Sequence, residues 1–387
     1  ENFTVKDGKQ VGTYTINPTT GEVTFKPNKD FVGTPDGITV QAKDANGTPA
    51  TAKYTPTVVG VTPTATPAET KDIQGATQTG KPEFKGGTVE VNGVEKTVPI
   101  NEDVPATFDD GSTTKTVEGV GTYTVAADGT VTFVPEKSFV GTAPAVTVVR
   151  EDKNGTKASA TYTPTVTPVT PTATPAESTG PQGLVQTGTV TFTEGDPVAP
   201  IDKDTITLLD ENGQPAASVE AKSPAGDVIG TFTVDKETGV VTFTPTDKSY
   251  SGDVVPVKVQ GKDTNGTVAE TTYTPKITPV VPTANPATST DIQGQTQTGT
   301  PSFTPGNPAI PMDDDTPATF EDGSTTKTIP GEGTYTVAPD GTVTFKPEPE
   351  FTGTAPSVTV VREDVNGTKA SATYTPTVLP ITKFVDK

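Results

Sequence analysis

Between Gly121 and Val125 the chain reads GTYTV, which puts Tyr123 and Val125 on one face of an extended backbone and Thr122 and Thr124 on the other. AADG follows, and GTVTFVP then returns Val131 and Phe133 to the first face. Asp-Gly between two alternating runs predicts a tight hairpin, because a type I′ turn needs positive φ at both central residues. In the next run, FVGTAPAVTVVRED, Val146 and Val148 alternate with Thr147 and Val149. The DKNG turn at Asp152–Gly155 leads into TKASATYTPTV, with Ala160 and Tyr162 in phase. Stretches such as QTGTVTF, TITLLDENG and ATFDDGSTTKTV add two or three more short strands, for about seven per unit, separated by Gly, Pro, Asn and Asp turns.

This pattern is copied. GTYT or GTFT begins at Gly12, Gly121, Gly230 and Gly333, at spacings of 109, 109 and 103 residues. A Gln-Gly pair recurs at Gln74, Gln182 and Gln293, at spacings of 108 and 111. A period of that size is a whole domain rather than a solenoid turn. Residues 121–166 and 333–378 differ at only seven of 46 positions, whereas the copy between them carries the longer segment TLLDENGQPAASVEAKSPAGDV. The expected organisation is an all-β chain of tandem Ig-like β-sandwich repeats of about 105–110 residues. It comprises a partial repeat at 1–61, holding only the second half of a unit, and repeats at 62–169, 170–281 and 282–387.

Between copies lie Pro/Thr-rich segments such as TPTVTPVTPTATPAES, with prolines at 164, 168, 171 and 175. Each proline removes a ladder donor, so these segments predict semi-rigid polyproline II linkers and, through them, an elongated rod.

Composition supports strands over helices. Thr makes up about a fifth of the residues, and Leu occurs only at Leu184, Leu208, Leu209 and Leu379. Leu, Ile, Val and Phe together reach about a fifth of the chain, a sparse supply for a core. The 387 residues contain no His, Cys or Trp. That removes the Ser-His-Asp triad, the cysteine nucleophile and the ordinary zinc site from consideration. A net charge of -20 repels nucleic acid and anionic lipid surfaces, and no apolar run is long enough to enter a membrane as a spanning helix. No signal peptide is read after Glu1 and no anchor before Lys387, so the expectation is a piece of a longer protein.

The ordered combination of GTYTV-x-PDGTVTF-x-P, FTGTAPSVTV, D-x-NGT-x-ASATYTPTV, PTA-x-PA and IQGQTQTGTPSFTPG resembles the fibril repeats of CshA-type streptococcal surface adhesins. The resemblance covers almost the whole chain. It implies a cell-wall-anchored extracellular polypeptide of a Gram-positive coccus. In such proteins many repeats form a stalk, and host or bacterial surface ligands are bound through a non-repetitive region outside these repeats. The third copy departs from the pattern between Thr205 and Val228.

Several residues invite sharper chemistry. The D-x-N-G turns at Asp44, Asp152, Asp263 and Asp364 resemble the opening of a calcium loop but lack its later ligands, and hairpin-turn chemistry accounts for them. Asp313-Asp314-Asp315 reads as a solvated turn. The triplets at Asn46, Asn154, Asn265 and Asn366 match glycosylation acceptors and are read as turns. Lys115 and Lys327 are weighed for an isopeptide bond, and Gln78, Gln186 and Gln297 for an ester; exposed and turn-capping roles are preferred. The adjacent carboxylates Asp109-Asp110 and Glu321-Asp322 point to opposite strand faces, which is wrong for a glycosidase pair. No catalytic, metal or cofactor residue is assigned, and no cofactor is expected. The expected partners are neighbouring repeats of the same chain. Two readings remain: a stalk that projects a distal adhesin, and an array of weak binding modules in which the variable segments Thr88–Thr97 and Asp204–Asp227 meet host glycan or protein multivalently.

Overall fold

The structure, a computed structural model, describes residues 2–4 and 10–382, the first three by their backbone alone. All regular structure among the described residues is β-strand. The chain groups into two compact units, Glu1–Thr170 with Asp196–Pro200 and Thr264–Thr267, and Pro171–Gly195 with Ile201–Asp263 and Val268–Lys387.

Within the second unit, residues 279–378 form a two-sheet sandwich. One sheet runs Ala287–Ile292, Lys369–Leu379, Val358–Glu363, Thr319–Phe320, with Gly353–Thr354 also pairing to Lys369–Leu379. The other runs Gln297–Gly299, Val343–Pro347, Gly333–Val337, Thr326–Ile329. A short ribbon pairs Thr283–Asn285 with Ser302–Thr304. The hairpin between Gly333–Val337 and Val343–Pro347 turns at Asp340-Gly341 with Gly341 at φ 95° and its N–H donating to Ala338 O at 2.9 Å; Asp340 is not at positive φ, so the turn is not the expected type I′ but one closed by a single left-handed glycine. The alternation also holds: Tyr335, Val343, Phe345, Val358, Val360 and Tyr374 meet between the sheets, each at 1% exposure or less. Tyr335 and Phe345, directly opposite across the hairpin, stack with ring centroids 4.7 Å apart.

Residues 171–278 and 62–167 repeat this arrangement around Phe232, Phe243 and Tyr273, and around Tyr123, Phe133 and Tyr162. The divergent segment of the third repeat extends one sheet rather than changing the fold. Ile201–Leu209 is a nine-residue strand where the second and fourth repeats have only Thr107–Phe108 and Thr319–Phe320. The variable stretch of the second repeat is a separate hairpin, Gly87–Val91 with Val94–Val98.

Two further expectations are corrected. The fourth repeat has eleven strands, not about seven. Of the Pro/Thr-rich segments, all expected to be polyproline II, the one before the second repeat carries no strand over residues 55–63 beyond the isolated bridge at Val58. The other two are mostly strand: Lys157–Thr167 runs through Pro164 and Val268–Thr278 through Pro275, and after four residues Thr172–Thr174 and Thr283–Asn285 follow. Proline is tolerated there because of where its nitrogen points. In a strand the nitrogen and carbonyl of one residue face the same neighbour, and the Pro164 carbonyl accepts the Ala143 N–H at 2.9 Å. That neighbour is interrupted between Gly141–Thr142 and Val146–Glu151, so the missing N–H falls where the ladder already has a gap. Pro376, which accepts from Ala355, occupies the same break. Between the third and fourth repeats only residues 279–282 lie outside strands.

The same strand closes each complete repeat. Ala287–Ile292 pairs in parallel with Lys369–Leu379, Ala176–Pro181 with Val268–Thr278, and Ala68–Ile73 with Lys157–Thr167. A buried polar chain pins each closure. Tyr162 donates to Thr70 Oγ1 at 2.6 Å, Thr70 donates to Gln78 Oε1 at 2.6 Å, and Gln78 Nε2 donates to the Thr165 carbonyl at 2.9 Å. Ser178 and Gln186 serve Tyr273 in this way, and Ser289 and Gln297 serve Tyr374. A separate bond ties the sheets together: Tyr123 donates to the Pro144 carbonyl and Tyr335 to the Pro356 carbonyl, each at 2.6 Å.

The first repeat contributes the hairpins Gln10–Ile16 with Val23–Pro27 and Ile38–Lys43 with Pro49–Tyr54. Tyr14 is 3% exposed, yet Phe25, Ile38, Val40 and Tyr54 are only half-buried, where their counterparts Phe133, Val146, Val148 and Tyr162 are fully buried. Truncating Phe133 to Ala should cost about 3–5 kcal/mol. Phe25→Ala should cost clearly less, as read by denaturant unfolding or amide exchange repeat by repeat. Equal losses would show that the open face of the first repeat is covered in solution. Burial pushes the Tyr123 and Tyr335 hydroxyls up to about 12. A tyrosine in the unfolded chain loses its proton near 10, so the folded state holds the proton more tightly. The associated stability is whole below about pH 10 and is lost as pH rises towards 12. Circular dichroism across an alkaline titration should show unfolding in that window and none between pH 6 and 9.

Candidate functional site

The Gln-Gly pair, used in the sequence only as a ruler, proves to be the most connected polar feature that recurs. Gln182 donates its backbone N–H to Thr278 O at 2.8 Å, at the end of the closing strand. Its side-chain Nε2 donates to the carbonyls of Lys248 and Ser249 at 3.1 and 2.8 Å, and its Oε1 accepts the Val280 N–H at 3.1 Å. One glutamine therefore fastens the first residues leaving its own repeat to a turn of the opposite sheet. Gln74 makes the corresponding bonds to Thr167, Lys137 and Val169, and Gln293 those to Leu379, Pro349 and Ile381. At 3–4% exposure Gln74 and Gln182 are buried, so each donor and acceptor must be matched. Sequence reasoning missed this role because the partners lie 56–98 residues away. The recurrence of the pair at a fixed spacing was the available signal.

The D-x-N-G turns have a common internal design. Asp152 Oδ1 accepts the N–H groups of Asn154 and Thr156, both at 2.9 Å, and Asp364 Oδ1 accepts those of Asn366 and Thr368. Asp152 and Asp364 are fully buried, and Asp44 forms the same bonds while exposed. In the second unit the side chain of Asn366 reaches the other recurring motif, with Nδ2 donating to Gln182 O at 3.0 Å. A Cβ on Gly183 would collide with that asparagine. In the first unit Asn265 Oδ1 lies 2.9 Å from where a Cβ on Gly75 would stand.

The remaining candidates stay apart. Among the described residues no group of three or more His, Cys, Asp or Glu is placed to hold a metal ion. Asp313 Oδ1 caps its own turn by accepting the Asp315 N–H, and Asp314 pairs with Arg362 at 3.0 Å. Asp110 and Asp322 accept from the hydroxyl and N–H of Ser112 and Ser324, which hold both carboxyls below the usual range. Lys115 and Lys327 lie on exposed strand positions. Gln78, Gln186 and Gln297 do meet a Thr or Ser hydroxyl, but the hydroxyl donates to Oε1, the arrangement of a hydrogen bond rather than of attack on the amide carbon. The divergent segment of the third repeat borders an open cleft of about 570 Å³, with Leu209, Val219, Lys222, Phe232 and Val257 among its lining residues.

Gln182→Ala should cost about 1–3 kcal/mol, from the carbonyls and the N–H left without partners. Hydrogen exchange should show faster exchange at Val280 and no change at the core amide of Val259. Unchanged protection at Val280 would mean that the clamp does not operate in solution.

No curated protein sequence matches the chain. Among solved structures it is similar to mouse cadherin-23 EC22–24, at 13% identity over 83% of this chain and 100% of that one, with a TM-score of 0.33. Similar too are protocadherin gamma B2 domains 3–6, at 12% identity over 96% and 89% with a TM-score of 0.32, and the I9–I11 tandem of titin, at 10% identity over 89% and 100% with a TM-score of 0.29. Scores this low carry no argument. The model of the surface adhesin CshA repetitive domain, by contrast, matches residues 1–58, 60–166, 168–277 and 279–378 in succession. With all but a few residues of its length matched four times in tandem, the chain belongs to the CshA repeat family and is a repeat region of a surface adhesin.

Proposed function

We propose that this chain is a length of stalk: a mechanical spacer that holds a distal binding region away from the cell wall on which the adhesin is anchored. The observation that supports this reading most directly is which features are copied. The buried Tyr–hydroxyl–Gln chain, the Gln clamp on the exit strand and the D-x-N-G turn recur from repeat to repeat. Each of them stabilises a repeat or the segment leaving it, and none presents a ligand. The exit of the third repeat supports it further, since only four residues separate the strands there and the second of them, Val280, is fastened to Gln182. A connection that short and that tied transmits force better than a free linker would. On this reading the chain carries no catalytic function, and its partners are its own neighbouring repeats.

The cleft beside the divergent segment of the third repeat favours a second reading, in which that copy holds a ligand as well as spacing. Small-angle scattering on the whole chain separates a stalk from a flexible array. A stalk gives a maximum dimension on the order of 150 Å and a cross-section one sandwich wide, from strand rise and short connections. The profile should not change when calcium is added. A broad, featureless profile, or an extended form that appears only with calcium, would overturn the stalk.

A further inference from the structure

Asn366 fills a joint over the Gln182–Gly183 turn, and the residue that follows it is Gly367. That order carries a chemistry of its own. The backbone nitrogen after an asparagine can attack the side-chain Cγ, and glycine, with no Cβ, hinders the approach least. The attack forms an N–Cγ bond and a five-membered imide, and Nδ2 leaves with the proton as ammonia. Water then opens the ring at one of its two carbonyls, which gives aspartate or isoaspartate. One water is consumed and one ammonia released, with nothing oxidised or reduced.

Two turns of one construction differ in whether this amide is covered. Asp364 Oδ1 accepts the N–H groups of Asn366 and Thr368 at 3.0 and 2.9 Å, and the Gly367 N–H donates to the Asp364 carbonyl at 2.9 Å. Asp210-Glu211-Asn212-Gly213, in the divergent segment of the third repeat, is built alike. Asp210 Oδ1 accepts from Asn212 and Gln214, both at 2.9 Å, and the Gly213 N–H donates to the Asp210 carbonyl at 2.9 Å. Gly367 and Gly213 also share the left-handed backbone, at φ 84° and 77°. The attacking nitrogen is therefore engaged in the same way in both turns. The side chains are not alike. Asn212 is exposed, whereas Asn366 is 5% exposed and its Nδ2 donates to the Gln182 carbonyl at 3.0 Å. Its Oδ1, Cγ and Nδ2 crowd the place where a Cβ on Gly183 would stand. In the joint the leaving group is held and the carbon under attack is shut away from water.

We infer that Asn366 is a self-hydrolysing site gated by its joint: the amide is lost only while the joint is open, and its loss keeps the joint from closing again. The second half follows from charge. The donor that meets the Gln182 carbonyl becomes a carboxylate oxygen, and the fully buried Asp364 stands two residues away. Closure would then set two acceptors against each other and bury like charges together. Asn265, 8% exposed and lying against Gly75, is a second site of the same kind. The inference concerns the rate at one side chain, so it stands whether or not the chain is a spacer.

Peptide mass spectrometry on the whole chain, held in mildly alkaline buffer, reads the change from amide to acid at each asparagine. Asn366 should react at least about tenfold more slowly than Asn212, because a reaction that needs an open state is slowed by the fraction of time spent open. Gly183→Asn keeps a residue that tolerates positive φ while its Cβ displaces Asn366. It should raise the Asn366 rate to that of Asn212 and leave Asn212 unchanged. Asn366→Asp writes in the product directly. With no cysteine in the chain, spin labels on Thr244→Cys and Lys346→Cys, both at exposed strand positions, report only on the third and fourth repeats. Their distance distribution should broaden in the Asn366→Asp chain. Equal rates at Asn212 and Asn366, an Asn366 that stays slow in Gly183→Asn, or an unchanged distribution in Asn366→Asp would each overturn the gated site.

Discussion

Each complete repeat depends on one long-range pairing, that of its early strand with its last, in parallel and in register. Residues such as Ser178 and Tyr273, 95 apart in sequence, are brought within hydrogen-bond distance by it. Loop-closure entropy makes such a contact costly to form, and evenly spaced parallel bonds alone repay it modestly. The buried Tyr–Ser–Gln chain adds what the ladder lacks. It fixes register, because only one alignment lets Gln186 reach both the serine hydroxyl and the Lys276 carbonyl, and it ties a strand of each sheet to the same point. A chain with so few large apolar residues needs such a device. Val and Phe fill the space between the sheets, and the polar chain decides which two strands enclose it.

Once closure is fixed, several other features follow from it. The closing strand is paired on both sides, so proline can enter it only at a gap in one ladder, and Pro164 and Pro376 stand at that gap. The end of this strand is also where the chain leaves the repeat. The Gln-Gly turn lies beside that exit because it follows the early strand, parallel to the closing one. Its backbone N–H reaches the last carbonyl of the closing strand, and its amide side chain the first residue beyond. The clamp is thus a geometric consequence of parallel closure: an antiparallel partner would have carried its next turn to the other end of the sheet.

This separates what could be read in the sequence from what could not. Tyr123, Val125, Val131 and Phe133 announced their hairpin because alternation is local, and Gly129 takes the positive φ a turn there needs, although Asp128 does not, so the place of the turn was legible and its type was not. The repeat and the all-β class were equally plain. The strand through Pro164 was misread because proline's effect depends on which edge its nitrogen faces, and that edge is set by a neighbour whose interruption the sequence does not mark. The roles of Gln74, Gln182 and Gln293 were hidden for a related reason. A glutamine that bonds to three backbone groups selects no side chains, so nothing nearby in sequence betrays its partners.

The copies show which atoms of the D-x-N-G turn matter. Its second position holds Ala45, Lys153, Thr264 or Val365, four side chains with nothing in common, and each of them is exposed. The first, third and fourth positions never vary within the chain. The aspartate is fixed by two backbone N–H groups that only a short acceptor in that place can receive, and the glycine by its positive φ. Neither demand extends to the asparagine, whose backbone N–H alone serves the turn and would be supplied by most residues. Its side chain is the part that leaves the repeat, and in the filled joint it meets the carbonyl of Gln182. In this chain the asparagines of the last two copies lie against a Gln-Gly turn outside their own repeat, Asn366 by its bond to the Gln182 carbonyl and Asn265 by its approach to Gly75.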